Sequence, residues 1–187
     1  CPTQEQFANT SATEQFFSGQ GAMFFAGSWD LVNLCSTYTD MNGKWDVAVL
    51  PKCPNPESGD GRAVISNSVS YATAAEGKNK DTAMDFLKFL ASEEGQKIQG
   101  ESGVAIPAYN GLEDTWVNTF AEKGYDIHPE NIIPMFEYSV KYVNNPSRPL
   151  WEPKVEQAVL DIYAGNTSVD DGIQNMQNIV TEAIAEE

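Results

Sequence analysis

The pattern of apolar and polar residues along the chain predicts more helices than strands. Apolar runs at residues 22–26, 44–51 and 62–75 indicate three strands, and the continuously apolar first run is typical of a buried strand. In the second half of the chain, apolar residues recur at three- and four-residue spacing, as in helices that dock one face on a core. The pattern is therefore that of a helix-rich α/β protein.

Capping signals indicate where several of these helices begin. Ser11 and Glu14 form a capping-box pattern, and Ser168 precedes the final helix as an N-cap. Pro153 suits the first turn of a helix that begins at Glu152. The other predicted helices cover residues 29–36, 79–100 and 113–123.

Three strands are too few for the sheet that such helices would cover. Parallel strands need crossover connections and covering layers on both faces, and no strand–helix–strand unit is complete in this sequence. The chain of 187 residues is therefore interpreted as part of a larger α/β protein whose N-terminal portion is absent.

Charge and residue usage exclude several functional classes. The chain carries 27 acidic against 11 basic residues, a formal charge of −16 that repels nucleic acid and anionic lipid. No apolar run approaches the length of a membrane span. One histidine and three cysteines without C-x-x-C spacing predict no zinc site, and the acidic loops at 40–46 and 171–175 lack EF-hand spacing.

The residues themselves indicate no cofactor and no familiar catalytic motif. Neither a G-x-S-x-G elbow nor a P-loop is present. A carbohydrate-active enzyme stays open, because two carboxylates that cleave a glycoside need not be close in sequence. An acidic interaction module without a ligand also stays open. Cys35 and Cys53 either remain free thiols, which we favour, or pair in an oxidising compartment.

Four segments, taken in chain order, resemble one known family. They are SATEQFFSGQGAMFFAGSWDL, WDVAVLPKCP, KNKDTAMDFLKFLASEEGQKIQGESGVAIPAY and LWEPKVEQAVLDIYAGNTSVDDGIQNMQNIVTEAI. Together they resemble the C-terminal half of extracellular solute-binding proteins, the sugar-binding family that includes maltose-binding protein. Each segment alone is a weak signal, but four in order make a specific match over nearly the whole chain.

The resemblance implies a periplasmic-binding-protein-like α/β fold of type II, in which two lobes joined by hinge segments close on a sugar. Residues 1–59 and 116–187 are then C-terminal-lobe segments, and residues 62–112 cross into the N-terminal lobe. Such proteins have no catalytic activity and deliver a carbohydrate to the membrane permease of an ABC transporter. The missing N-terminal part of the same protein is a further expected partner.

The resemblance also implies a location outside the cell, either as a lipoprotein on the membrane or in a periplasm. Cys1 resembles the lipid-bearing first residue of a mature bacterial lipoprotein. However, Pro2 follows directly and a helix begins near Ser11, which leaves a short tether. A fragment boundary is therefore the favoured interpretation of Cys1 itself.

Trp29 is the first candidate for sugar binding. It follows the apolar run 22–26 and Gly27, at a strand end where α/β lobes bind ligands. It resembles the aromatic residue in the family's G-x-W segment, whose ring covers the C–H face of a sugar. The alternative is a tryptophan that packs in a core or between lobes.

Two further groups complete the predicted site. Trp151 stands at a helix start where the family often carries an aromatic residue, beside Arg148 and Glu152, whose charges favour strong hydrogen bonds to hydroxyls. The alternative for these two neighbours is plain surface charge.

The third group lies where the resemblance puts the hinge. Gly61 stands between Asp60 and Arg62, and a glycine there can absorb backbone rotation. Asn67 interrupts an apolar strand and either reaches the sugar or makes a core hydrogen bond.

Overall fold

The computed structural model describes residues 9–56, 59–142 and 145–186. The chain divides into two compact units. We call Phe25–Lys141 the central unit, and we call the residues up to Phe24 together with those from Tyr142 onward the terminal unit. Cys1 lies outside the described residues, so its predicted role stays a prediction.

Helices dominate both units. The α-helices are α1 (Ala12–Phe17), α2 (Leu31–Thr37), α3 (Lys80–Leu90), α4 (Glu93–Ser102), α5 (Glu113–Glu122), α6 (Arg148–Tyr163) and α7 (Val169–Ala185). Three-ten helices cover Ser28–Asp30, Thr39–Met41 and Pro129–Tyr138, and the strands are β1 (Val64–Ser66) and β2 (Ser139–Lys141). Within the described ranges, no helix combines the length and the apolar character that crossing a bilayer requires.

The core of the central unit is a contact between α4 and α5. Trp116 and Phe120 of α5 are fully buried and meet edge to face, with ring centroids 5.1 Å apart. The Trp116 indole N–H donates to the carbonyl of Gly103 at 3.1 Å, which satisfies a buried donor. The Thr119 hydroxyl donates to the Thr115 carbonyl of its own helix at 2.9 Å and lies 3.4 Å from the Gly100 carbonyl of α4. This core is therefore built by helix on helix, not by helix on sheet.

The sheet is much smaller than the sequence predicts. β1 and β2 are parallel, with Val64 opposite Ser139 and Ser66 opposite Lys141. The predicted strand at 62–75 is therefore confirmed only for three residues, and β2 was not predicted. The predicted strands at 22–26 and 44–51 are wrong, because neither segment pairs with a strand in the described structure.

Exposure gives the physical reason for the missing first strand. A continuously apolar strand is stable when sheet neighbours and helices cover both of its faces. Here Met23 is 89% exposed and Phe25 is 80% exposed, so the run has no such cover. The apolar composition of this segment fits a buried strand, but the described chain supplies no sheet for it.

Capping chemistry was the most reliable sequence signal. The capping box of α1 is confirmed, since Glu14 N–H donates to the Ser11 hydroxyl at 3.2 Å and Ser11 N–H donates to the Glu14 carboxylate at 2.9 Å. The Ser168 hydroxyl accepts from Asp171 N–H at 3.1 Å and caps α7 as predicted. The single helix predicted over 79–100 is instead two helices, because Ser92 takes an extended conformation and caps α4.

Helix α6 begins four residues earlier than predicted, at Arg148 and not at Glu152. Two prolines fall near its start, and Pro149 takes the first-turn position, where no backbone N–H is needed. Pro153 consequently lies inside the helix. α6 packs against α7 in the terminal unit, where Gly172 lets the two helices approach so closely that a Cβ there would overlap the Ile162 side chain.

Helix α3 carries an apolar face that the central unit covers only in part. Phe86 is 59% exposed, and Met84 and Phe89 are each 39% exposed. The rings of Phe86 and Phe89 stack on each other with centroids 6.4 Å apart. Leu87 and Leu90 of the same helix are half-buried.

The division into units follows other boundaries than the predicted lobes. Residues 62–112 belong to the central unit together with parts of both predicted C-terminal-lobe segments. The mixed, helix-rich architecture with a small parallel sheet is compatible with a solute-binding fold. The assignment of these residues to two lobes remains a prediction.

Both described cysteines are free thiols. Cys35 is buried in α2, and this burial raises the pKa of its thiol to about 11. Cys53 is exposed. The favoured interpretation, that Cys35 and Cys53 remain free thiols, is therefore the one that the structure shows.

Two Trp→Ala substitutions test which tryptophan holds the central unit together. Trp116→Ala should lower the free energy of unfolding by about 3–5 kcal/mol, because it removes a fully buried ring and its satisfied N–H. Trp29→Ala removes a ring that is 51% exposed and should cost about 1 kcal/mol or less. Urea denaturation followed by circular dichroism measures both. Equal losses would contradict the placement of the core.

Candidate functional site

Trp29 presents an aromatic face to solvent. It lies in the three-ten turn Ser28–Asp30 that leads into α2, and 51% of its surface is exposed. Its ring lies against the backbone of Gly27. Among the described residues, no acceptor takes its indole N–H, whereas Trp116 and Trp151 both donate theirs to protein oxygens. Trp29 therefore keeps a ring face and a donor available for a ligand.

Asp30 adds an uncommitted carboxylate next to that ring in the chain. It stands at the N-cap of α2, but its αR backbone keeps it from capping, and its side chain makes no cap hydrogen bond. The residue is half-buried, and its carboxylate has no hydrogen-bond or ion-pair partner among the described residues. An ionised carboxylate of this kind can accept hydrogen bonds from two hydroxyl groups of a ligand.

Trp151 lies in a polar cluster of the terminal unit. Its indole N–H donates to the Asn145 side-chain oxygen at 3.1 Å. Arg148 Nε and Nη2 donate to the same Glu152 oxygen at 3.0 and 2.7 Å, a pair that one turn of α6 brings together. The Arg148 guanidinium also lies 4.2 Å from the centroid of the Tyr142 ring. The structure thus pairs Arg148 with Glu152, and Trp151 lies on the same helix with a separate bond to Asn145.

The charged groups of this cluster are bonded to one another. Hydrogen bonds from Arg148 and then from Tyr142 lower the pKa of Glu152, so its carboxylate stays ionised. The bond to Glu152 raises the pKa of Tyr142, whose hydroxyl donates at 2.5 Å. Tyr142 was not predicted as part of the site. A ligand that approached these groups would have to share their hydrogen bonds with the partners that they already have.

The hinge candidates form a tight polar turn in the central unit. Cys53 N–H donates to the Gly61 carbonyl at 2.8 Å, and Gly61 has φ of +80°. A Cβ at Gly61 would lie 2.6 Å from the Cys53 carbonyl oxygen, so the turn requires glycine. The predicted use of this glycine as a flexible hinge is a separate matter and stays a prediction.

Asp60 and Arg62 are partners of each other. Asp60 accepts from Arg62 N–H at 3.1 Å and from Arg62 Nε at 2.7 Å. The side-chain hydrogen bond from Arg62 lowers the pKa of Asp60. Both side chains are about half exposed, at 50% and 46%, so the bond itself adds little stability. Asn67, the last predicted residue, is exposed directly after β1.

The structure shows one polar site that the sequence did not indicate. We call it the 42–47/124–131 seam, after the two segments that it joins. The ring Nδ1 of His128 lies 2.6 Å from one Asp46 carboxylate oxygen. The backbone N–H of His128 donates to the other Asp46 oxygen at 2.7 Å. The remaining bonds of the seam are Asn42 Nδ2 to Gly124 O, Asp126 N to Asn42 Oδ1, and Asn131 Nδ2 to Val47 O, at 2.8–3.0 Å.

A shallow depression of about 310 Å³ opens on this seam. Its lining residues are Gly43, Lys44, Trp45, Asp46, Asp126 and His128. The partners Asp46 and His128 are 82 positions apart, so no local motif could have indicated the pair. A second depression, of about 400 Å³, is lined by Val155, Glu156, Val159 and Leu160. These four residues lie on one face of α6, and none of them belongs to the predicted site.

The chain belongs to a family of solute-binding proteins. The family model described as bacterial extracellular solute-binding protein matches residues 2–97, which is about half of the chain. The match contains Trp29 and the hinge candidates, whereas Trp151 and its cluster lie beyond it. A search of curated proteins found no match. Members of this family bind solutes outside the cell for ABC transport and are generally not enzymes.

The single histidine allows a clean test of the seam. The hydrogen bond to Asp46, and then the charge of Asp46, raise the pKa of His128 above its ordinary value of about 6.5. The resulting stability is fully present below pH 6.5 and is lost as the pH rises through the folded-state pKa of His128. NMR titration of the one imidazole should give the raised pKa, and Asp46→Asn should return it toward 6.5.

Asp126→Asn is the matched control, because it removes a nearby carboxylate without a hydrogen bond to the ring. It should shift the pKa of His128 far less than Asp46→Asn does. An unshifted histidine in the natural protein would contradict the 2.6 Å contact.

Proposed function

We propose that this protein binds a carbohydrate outside the cell and delivers it to the membrane permease of an ABC transporter. Membership of the extracellular solute-binding family supports solute binding and transport. The ligand class is our inference from the chemistry of the site. We further propose that the protein carries out no chemical conversion of the ligand.

The observation that carries the proposal is the half-exposed ring of Trp29. A sugar has apolar C–H faces and a rim of hydroxyls, so it needs an aromatic face together with donors and acceptors. Trp29 supplies a face and an unused N–H, and Asp30 supplies an unused carboxylate. A purely apolar ligand would leave that N–H and carboxylate without partners, which costs free energy.

The cluster of Trp151, Arg148 and Glu152 is proposed as a second set of ligand contacts. Trp151 is half-buried and its N–H is already bonded, so its contribution would come from its ring. Asp60, Gly61, Arg62 and Asn67 are proposed as the hinge-side contacts. The proposed fold is the two-lobed type II arrangement of the family.

Calorimetric titration of the full-length protein with glucose, galactose, xylose, maltose and cellobiose tests the proposal. For the sugar that binds, Trp29→Ala should weaken binding by roughly 1–3 kcal/mol, the value of burying an aromatic-sized face. Trp45→Ala is the matched control, since this half-buried tryptophan lines the seam depression instead. Loss with Trp45→Ala alone would contradict the proposed site.

The same titrations separate the three functional classes. Heat of binding without new products in chromatography supports a transport protein. Release of shorter sugars would instead indicate a carbohydrate-active enzyme, and the absence of any binding by the full-length protein would indicate an interaction module. Each of the last two results would overturn the proposal.

The N-terminal part of the same protein is proposed as the partner that covers α3. The exposed rings of Phe86 and Phe89, which stack on each other, form the apolar face that we propose the missing N-terminal part covers. Attachment of the full-length protein to the outer face of the cell membrane as a lipoprotein, or release into a periplasm, belongs to the same proposal and is tested by metabolic labelling.

This assignment predicts the behaviour of the isolated chain. It should self-associate in light scattering, because an uncovered apolar face recruits a second surface. Phe86→Ser should reduce that association, since Phe86 is the most exposed residue of the face, at 59%. Lys88→Ser, on the same helix, should leave it unchanged. A monodisperse monomer with full sugar affinity would contradict the proposed partner.

A further inference from the structure

The ring of Trp29 rests on a residue that has no side chain. If Gly27 carried a Cβ, the three nearest atoms would be Cε2, Cζ2 and Cη2 of the Trp29 ring, all in overlap with it. The ring therefore lies over the Cα of Gly27, with one face covered by backbone. Since Trp29 is still 51% exposed, its other face and its edge are the parts that a ligand can reach.

The backbone gives no other reason for glycine at this position. Gly27 has φ of −91° and ψ of 153°, an extended conformation that any residue adopts without strain. None of the three atoms nearest to the added Cβ belongs to another residue. Alanine would therefore fit the backbone, and the Trp29 ring is what would have to move.

We infer that Gly27 is a positioning residue, whose missing side chain holds the Trp29 ring in its ligand-binding orientation. This inference rests on the proposed function, because it gives Gly27 a role in the same site. Backbone on one side removes the ring's freedom to tilt before the ligand arrives, and such pre-organisation lowers the entropic cost of binding. It also limits the ligand to one that offers a flat apolar face to a ring open on one side.

A double-mutant cycle in the full-length protein tests the inference, with the sugar that binds best in the panel as the probe. Gly27→Ala should weaken binding at least tenfold while the melting temperature stays within a few degrees. In a Trp29→Ala background, Gly27→Ala should have no further effect, because the ring through which it acts is gone. Near-UV circular dichroism of Gly27→Ala should differ from the natural protein, as the indole changes its environment.

Gly21→Ala is the matched control. It makes the same chemical change, but the nearest atoms to its Cβ are 4.0 Å away, an ordinary contact. It should leave affinity and the near-UV spectrum unchanged.

The outcomes separate this inference from the proposed function. If Trp29→Ala keeps full affinity, the proposed function of Trp29 fails, and the inference fails with it. If Trp29→Ala loses affinity but Gly27→Ala keeps it, the proposed function stands and the inference is overturned. An equal loss from Gly27→Ala in both backgrounds also overturns it, since the glycine would then act without the ring.

Discussion

The burial of Trp116 is the contact on which the central unit depends. Its ring fills the space between α5 and the end of α4, and its N–H closes on the carbonyl of Gly103. Gly103 also lies near Val32, so α2, the helix that follows Trp29, packs on the same contact. The three-ten turn with Trp29 thus continues directly into a helix whose inner face, Leu31 and Leu34, is buried. A rigid support of this kind lets an exposed side chain keep a defined direction.

The candidate residues differ in how far the protein already satisfies them. Arg62 is bonded to Asp60, and Arg148 is bonded to Glu152. These charged groups therefore already have a structural role within the protein. An arginine that is already paired can still donate further hydrogen bonds to a ligand, since its guanidinium has five N–H donors. Trp29 and Asp30 differ from these pairs. The indole N–H and the carboxylate have no hydrogen-bond partner among the described residues. Trp29 and Asp30 could therefore form new hydrogen bonds to a ligand without breaking existing ones, whereas Arg62 and Arg148 already bond within the protein.

Local capping signals correctly predicted the starts of α1 and α7. Contacts between residues far apart in the sequence could not be predicted from it. Ser11 and Ser168 cap their helices because a side-chain oxygen meets a backbone N–H three residues away, a geometry that the sequence contains completely. The apolar run 22–26 was misread because burial of a strand depends on neighbours that the described chain does not supply. The start of α6 was misplaced because Pro149 and Pro153 both suit a first turn. Trp29 was predicted as a ligand contact through the family resemblance, and that prediction is untested. The contact of its ring with Gly27 and the pairing of Asp46 with His128 could be seen only in the structure.

The seat of Trp29 on Gly27 restricts the order in which this segment can evolve. A side chain at position 27 is harmful while the large ring is present, because the two occupy the same space. Once position 29 holds a small residue, a Cβ at position 27 no longer meets the ring, and the extended backbone there is open to residues other than glycine. A substitution of Trp29 that changes ligand preference is therefore easily reversed as long as position 27 is still glycine. It becomes hard to reverse after position 27 has gained a side chain, because a returning tryptophan would find its place filled.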